Sequence, residues 1–469
     1  MMQFKSIFTN SFGILLSRIT GFVRDVLMTS ALGASMWSDI FIVAFKLPNL
    51  FRRIFAEGAF TQAFMPSFIA SRQKGVFATS IFLRFLLFIL GLSLIITFFP
   101  EPITKLLAWG WNDSKIESTS LLTAINFWYL DLIFIVTFLA TLLQYKNHFA
   151  TTALSTALLN ISMISALLLH MKDEPKTVAY ALSIAVLIGG TMQVVAHIIA
   201  LKKVNMHKIL LGGWKYKKTR DTKSEEKQFK LLFLPSILGN SAPQFAAFID
   251  TFLATFLLTG SVSYLFYANR VFQLPLALIA IAIATVLFPT VSKALKNNNE
   301  AQAYENLDKS FWLLSFLLAT AMIGGIIFAE PIIWLLFERG HFNASMSKNT
   351  ALVLQMYMLG LLPFGLAKLF SLFLFASHRH LKAAKIAVYS LISTIFSSLV
   401  LMHSMGASGL ALAGSIGGWV LFIFTVKEVG IGKFSKIIKS KKSFYFILFT
   451  IILALLFSYI NKYLLLYIR

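Results

Sequence analysis

The sequence predicts an all-α polytopic membrane protein, with two pseudo-symmetric six-helix lobes around a central cavity and about one C-terminal span beyond them, about 13 transmembrane helices in all. Three observations predict it. First, 58% of the 469 residues are hydrophobic and only 13% are charged, with a mean hydropathy of +0.77, where a soluble domain carries about a quarter charged residues. Second, the apolar residues gather in stretches of roughly twenty, the length that crosses a bilayer core as a helix. Third, short strings recur in the two halves of the chain at a near-constant offset, which marks an internal duplication. The chain holds no cysteine, so disulfides and thiolate chemistry are excluded.

The expected spans fall near 8–32, 37–68, 80–99, 120–142, 151–170 and 178–201, and then near 229–258, 262–291, 311–329, 350–375, 386–403, 406–425 and 444–467. The first follows Lys5 and carries Arg18, Arg24 and Asp25 without a small-residue cleavage site, so it reads as a retained span and not as a signal peptide. Lys plus Arg number 42 against 19 acids, and their placement fixes the orientation. With the N-terminus inside, the inner segments hold 27 of these cations, the outer ones eight and the spans seven, as the positive-inside rule requires. An odd span count puts the C-terminus outside. The expected organisation is an N-lobe at 1–201, a basic cytoplasmic linker at 202–228, a C-lobe at 229–428, and a basic cytoplasmic segment with the last span at 429–469.

Ten cations lie between Lys202 and Lys230, with Asp221, Glu225 and Glu226 among them. Such a run can bind anionic headgroups or nucleic acid, but on a membrane protein it reads first as a topology signal on a solvated linker, and no nucleic-acid partner is expected.

The duplication rests on two strings. Glu101-Pro102-Ile103-Thr104-Lys105-Leu106-Leu107 recurs as Glu330-Pro331-Ile332-Ile333-Trp334-Leu335-Leu336 at an offset of 229, with Gly110 answering Gly340. Leu47-Pro48 matches Leu274-Pro275 at an offset of 227. Both pairs fall at equivalent places in the two blocks, and six spans per block make the repeat parallel. Two such lobes suit alternating access.

Charges inside spans cost about 2.5 to 3.5 kcal/mol each at the bilayer centre, so they line cavities or pair with acids. In the first span Arg18 and Asp25 stand seven residues apart on one face, with Gly21 between them and Ser17 and Arg24 on the adjacent face. Gly21 offers room for a close neighbour. In the second span Asp39, Lys46, Arg53 and Glu57 form one stripe of alternating sign, in which Arg53 and Glu57 suit an internal ion pair. Arg52 points off that stripe and has no acid at helical spacing, so it is the better candidate for an open binding site. The second span is about 32 residues, about 48 Å of helix against a core of roughly 30 Å, so it must tilt, bend or break, with Pro48, Gly58 and Pro66 as the places.

In the second lobe, Arg270 lies five residues before Pro275, with Asp250 in the preceding span as an ion-pair alternative. Lys368 is a further intramembrane cation, and Asp131, beside Trp128 and Tyr129, reads as an interfacial acid. Many of the 47 Phe fit lipid-facing bulk equally well, so they are not read as an aromatic site. Arg18, Arg24, Arg52 and Arg270 together make a cationic lining, and the planar guanidinium suits phosphate oxygens. The ligand expected from these residues is an anion of the phosphate or diphosphate class.

The strings SRITGFVRD at 17–25 and FKLPNLFRRIFAEGAFTQAFMP at 45–66 resemble the signature of the bacterial MurJ/MviN lipid II flippases, within the multidrug/oligosaccharidyl-lipid/polysaccharide exporter superfamily. The likeness is most specific in the first two spans and continues more weakly to about Thr425. It implies an inner-membrane transporter and not an enzyme, moving undecaprenyl-diphosphate-linked peptidoglycan precursor to the outer leaflet for cell wall synthesis. It implies cavity roles for Arg18, Arg24, Arg52 and Arg270, a functional charge at Asp39, and a place in the signature for Glu57. The implied partners are lipid II, membrane lipids and cell wall synthesis proteins. No cofactor is expected; the resemblance points to drive by the membrane potential, with Asn240 and Asp250 as a weak choice for a coupling cation. Family members commonly have fourteen spans, the last two forming a groove for the prenyl tail, whereas one span is expected here after Lys442.

Two other classes fit less well. A cation-coupled polysaccharide-lipid or drug exporter of the same superfamily would favour an acidic cavity, and here arginine dominates. A membrane enzyme acting on the same lipid needs an external acid pair or metal cluster, and the outer segments that hold Glu330, Glu338 and His341 are short.

Overall fold

The computed structural model describes residues 2–52, 58–217, 221–297, 299–377 and 379–468, and every regular element among them is a helix. Contacts divide the chain into two compact units, Met1–Phe248 and Ile249–Arg469. The division falls inside a helix that begins at Lys223, so the first turns after the basic linker pack with the first unit.

The first unit starts with α1 (Met2–Leu32), α2 (Met36–Phe51), α3 (Phe60–Ala70) and α4 (Lys74–Phe98). The expected long second span is divided between α2 and α3: Arg52, Gly58 and Ala59 are π-helical, and 53–57 lie outside the described residues. Pro48 and Pro66 both lie inside helices. Then follow α5 (Pro100–Leu107), α6 (Asp113–Phe127), α7 (Tyr129–Tyr145), α8 (Ala150–Leu169) and α9 (Pro175–Lys203). After these, α10 (His207–Tyr216) and α11 (Lys223–Ala254) occupy much of the expected linker.

Many phenylalanines build a ring-on-ring core. Phe60 and Phe64 of α3 stack at 5.2 Å, Phe64 meets Phe77 of α4 at 5.5 Å, and Phe85 of α4 meets Phe233 of α11 at 5.1 Å. Phe82 of α4 and Phe138 of α7 lie 4.7 Å apart. Offset and edge-on pairs of this kind add attraction beyond simple burial, and they tie α3, α4, α7 and the start of α11 together. Small residues set the other main contact. A Cβ on Gly13 of α1 would lie 2.7 Å from the Cβ of Ala153 on α8, so these two helices approach closely only because position 13 has no side chain.

The second unit repeats this element order. It holds α12 (Ser261–Pro275), a π-helical turn (Leu276–Ile281), α13 (Ala282–Lys296), α14 (Glu300–Ile327), α15 (Ala329–Phe337), α16 (Ala344–Met358) and α17 (Leu361–Ala376). Here too the Leu-Pro string precedes a helical defect, the π turn directly after Pro275. The Glu-Pro strings open matching short helices, of eight residues in α5 and nine in α15. Each leads to a 15-residue helix capped by an asparagine side chain: Asn112 accepts from the Lys115 N–H, and Asn343 from the Met346 N–H. The correspondence therefore extends from two strings to helix lengths, caps and breaks.

The helix α18 (His380–Ile438) spans 59 residues but turns back at Gly406, whose φ of 57° and ψ of −133° are non-helical. A hydrogen bond of 2.8 Å from Ser390 Oγ to the Gly417 carbonyl shows that its two limbs run side by side. They occupy the expected spans 386–403 and 406–425 and match the α8–α9 pair. Finally α19 (Lys441–Ile468) lies against α14, with Phe449 on Phe316 and Phe457 on Phe328, each at 5.1 Å.

Among the described residues, eight helical stretches are long and apolar enough to cross a membrane, against about 13 expected from hydropathy. The expected second span is divided between α2 and α3 and the eighth by the π turn, the two limbs of α18 form one continuous stretch, and α1 and α11, at the expected first and seventh spans, carry side chains outside the described residues.

Candidate functional site

The charges of the first span sit around Arg24. Its Nε and Nη2 donate to Asp25 Oδ1 at 3.0 and 2.7 Å, and its Nη1 donates to Asn160 Oδ1 of α8 at 2.9 Å. Asn160 is itself held: its Nδ2 donates to the Ser17 carbonyl and to Thr20 Oγ1, each at 3.1 Å. Position 21 faces it: a Cβ there would lie 3.4 Å from Asn160 Nδ2, at van der Waals contact. The neighbour of Gly21 is thus a polar side chain and not a helix backbone. Three points of contact fix the guanidinium in orientation as well as place.

Arg18 and Asp25 lie two turns apart in α1, where Arg18 is exposed while Asp25 is buried and paired with its own neighbour, Arg24.

In α2, Asp39 is almost fully buried, and its partner lies on α6, where Lys115 Nζ donates to Asp39 Oδ2 at 3.3 Å. The same ammonium sits 3.9 Å from the centroid of the Trp111 ring. Lys115, counted from sequence as an outer-loop cation, is therefore buried. Lys46 is partly buried. Arg52 caps the end of α2, and its Nε and Nη2 donate to Asn49 Oδ1 at 3.1 and 2.9 Å. Its partner one turn back is thus an amide. Arg53 and Glu57 lie outside the described residues, and so does the side chain of Asn240.

In the second unit, Arg270 of α12 is partly buried with its guanidinium 4.7 Å from the Phe266 ring centroid, and Asp250 is likewise partly buried. Lys368 is exposed on α17 although Ala367 and Leu369 beside it are buried. Asp131, in the first turn of α7, is buried against α4, where Ser93 Oγ donates to its Oδ2 at 2.5 Å.

Sequence reasoning missed Asn160 and Lys115. Asn160 could have been found as a polar side chain in the middle of an apolar span, a placement that usually means an interhelical hydrogen bond. Lys115 carries no such signal, since 76 residues separate it from Asp39. Among the described charges of the first two spans, Arg18, Arg24, Lys46 and Arg52 stand against Asp25 and Asp39, and Lys115 adds a further cation beside Asp39. The balance is positive, and guanidinium groups held in fixed directions are suited to coordinating phosphoryl oxygens.

The sequence profile of the family described as "Lipid II flippase MurJ" matches residues 28–468. A Helicobacter pylori (strain J99) protein named "Probable lipid II flippase MurJ" is 48% identical over 432 residues, covering 90% of this chain and 94% of that protein. A protein of the same name from Buchnera aphidicola subsp. Acyrthosiphon pisum is 32% identical over 469 residues, covering 97% and 89%. A solved structure titled "Lipid II flippase MurJ, inward closed conformation" matches with a TM-score of 0.80 at 27% identity, over 97% of this chain and 99% of that one. An inward-facing multidrug transporter of the MATE family matches with a TM-score of 0.67 at 14% identity, over 93% and 99%, and so shares the fold. With matches of this extent the chain belongs to the MurJ family of lipid II flippases, multi-pass membrane transporters.

Proposed function

We propose that this chain moves lipid II, the undecaprenyl-diphosphate-linked peptidoglycan precursor, from the inner to the outer leaflet of the bacterial cytoplasmic membrane by alternating access. The observation that carries this reading is the fixed guanidinium of Arg24, held inside a membrane helix by Asp25 and Asn160. An arginine is costly in a bilayer core; Asp25 offsets the charge of Arg24, and the positive excess of the first two spans, with Arg18, Lys46 and Arg52, suits a diphosphate. Arg18, Arg52 and, by resemblance, Arg270 are assigned to the same headgroup. Lys46 and Asp39 are assigned to the cavity charges, with Asp39 held by Lys115, and Arg53 and Glu57 join them by their place in the signature.

The orientation proposed is the one the positive-inside rule favours, with the N-terminus in the cytoplasm and the C-terminus outside. The membrane potential is the proposed drive, exchanging about 2.3 kcal/mol per charge moved across 100 mV. Asn240 and Asp250 remain the proposed place for a coupling cation.

The test uses cells depleted of their own flippase and an externally added enzyme that cleaves outward-facing lipid II only. Expression of this chain should restore cleavage, and equal expression of Arg24→Ala should not. Correctly inserted wild type that fails to restore cleavage would overturn the flippase reading.

A further inference from the structure

We propose that α10 is a membrane-surface helix whose outward face docks on anionic glycerophospholipids of the leaflet beside it. The basic run in which it lies was the one sequence feature that the transport reading left as a plain topology signal.

The depth of α10 follows from its clamp on α4. A Cβ on Gly213 would lie 2.0 Å from the Gly75 carbonyl oxygen, and one on Gly75 would lie 2.4 Å from the Ile209 carbonyl oxygen. Two glycines thus let the helices cross in backbone contact, and Thr79 Oγ1 adds a hydrogen bond of 3.4 Å to the Leu210 carbonyl. Gly75 and Thr79 lie in the first turns of α4, whose 25 residues make a rod of about 37 Å against a hydrocarbon core of roughly 30 Å. The first turns of α4 therefore stand at headgroup level, and α10 is fixed there with them.

Its outward face suits that level. Leu211 is 65% exposed and Trp214 66% exposed, on the side of the helix away from Gly213. Tryptophan and leucine beside lysines are the composition of helices that lie in the interface. Lys202, Lys203, Lys208, Lys215 and Lys217 are all exposed, and no acid occurs from Lys202 to Lys217. Of the acids that follow, Asp221 is exposed and pairs with Lys223, Glu226 is buried and bonded to Arg84 and to Thr222 Oγ1, and Glu225 faces Ser71. An anionic lipid surface complements the exposed lysines. Assignment to the cytoplasmic leaflet rests on the orientation proposed above.

The chain has no cysteine, so single cysteines report cleanly. The full-length protein would carry a nitroxide at Leu211→Cys, with exposed Ser224→Cys as the water-side reference, in bilayers of phosphatidylcholine with and without phosphatidylglycerol. With phosphatidylglycerol, the Leu211→Cys label should favour collision with oxygen over a nickel chelate several-fold more than the Ser224→Cys label does. That excess should fall several-fold in phosphatidylcholine alone, and also when Lys208, Lys215 and Lys217 are changed to Gln. Equal nickel access at both labels in the anionic bilayer would overturn the proposal and leave the face to a soluble partner. Immersion unchanged by lipid charge and by the Gln variant would overturn its anionic part. Labelling of Ser224→Cys by an impermeant maleimide from outside intact cells would overturn the orientation alone, whatever the bilayers show.

Discussion

Asn160 is a small residue with a large number of duties: it accepts from Arg24 and donates to the Ser17 carbonyl and Thr20. Asn160→Leu keeps the volume and removes every one of those bonds. It is predicted to abolish lipid II flipping while costing about 1–3 kcal/mol of stability, the penalty of leaving buried polar groups unmade. Thermal unfolding in detergent, alongside the cleavage assay, checks both. Lys115→Met removes the ammonium beside buried Asp39 and is predicted to lower stability, whereas adding Asp39→Leu should recover much of that loss. If the double variant is no more stable than the single one, the pair is not the unit described. Sequence shows the charges of these residues plainly, because an arginine or aspartate in an apolar span stands out. It does not show their partners, because those lie on other helices: Lys115 is 76 residues from Asp39, and Asn160 is 136 from Arg24.

At the scale of elements, one glycine does conformational work that no other residue can do cheaply and a second faces the amide of Asn160. Gly406 turns α18 back on itself with φ of 57°. Gly406→Ala is predicted to destabilise the second unit by about 1 kcal/mol, since an L side chain adopts that region reluctantly; an unchanged unfolding midpoint would contradict this. Gly21 lies against Asn160, so Gly21→Val should displace that amide and cost transport much as Asn160→Leu does, with insertion unaffected. The existence of the helices was legible from apolar runs and from Leu-Pro and Glu-Pro strings. The position of the breaks was less so. Pro48 marks a weak turn, but α2 runs through it to Phe51, whereas the π-helical turn of the second unit comes directly after Pro275, because surrounding packing decides which turn gives way. The extent of α10 was also hidden, since a run of lysines looks solvated until Gly75 and Gly213 are seen to meet.

For the whole molecule, the two units share one order of elements yet differ in chemistry. The first concentrates Arg18, Arg24, Arg52 and their acids, while Arg270 and Lys368 are more dispersed in the second. A duplicated scaffold with specialised charge is a common route to transport through pseudo-symmetry. The repeat was legible from short strings because Pro and Glu at helix starts obey local rules that both copies must satisfy. Moving lipid II across the bilayer is the claim on which the residue roles depend. Its most direct measurement places the purified protein alone in liposomes loaded with lipid II and follows how much of the lipid becomes accessible to an enzyme added outside. Wild type should expose inner-leaflet lipid II well above protein-free liposomes, and Arg24→Ala should not. Equal exposure with wild type and with no protein would contradict flipping by this chain, and equal exposure with wild type and Arg24→Ala would contradict the role of the held guanidinium.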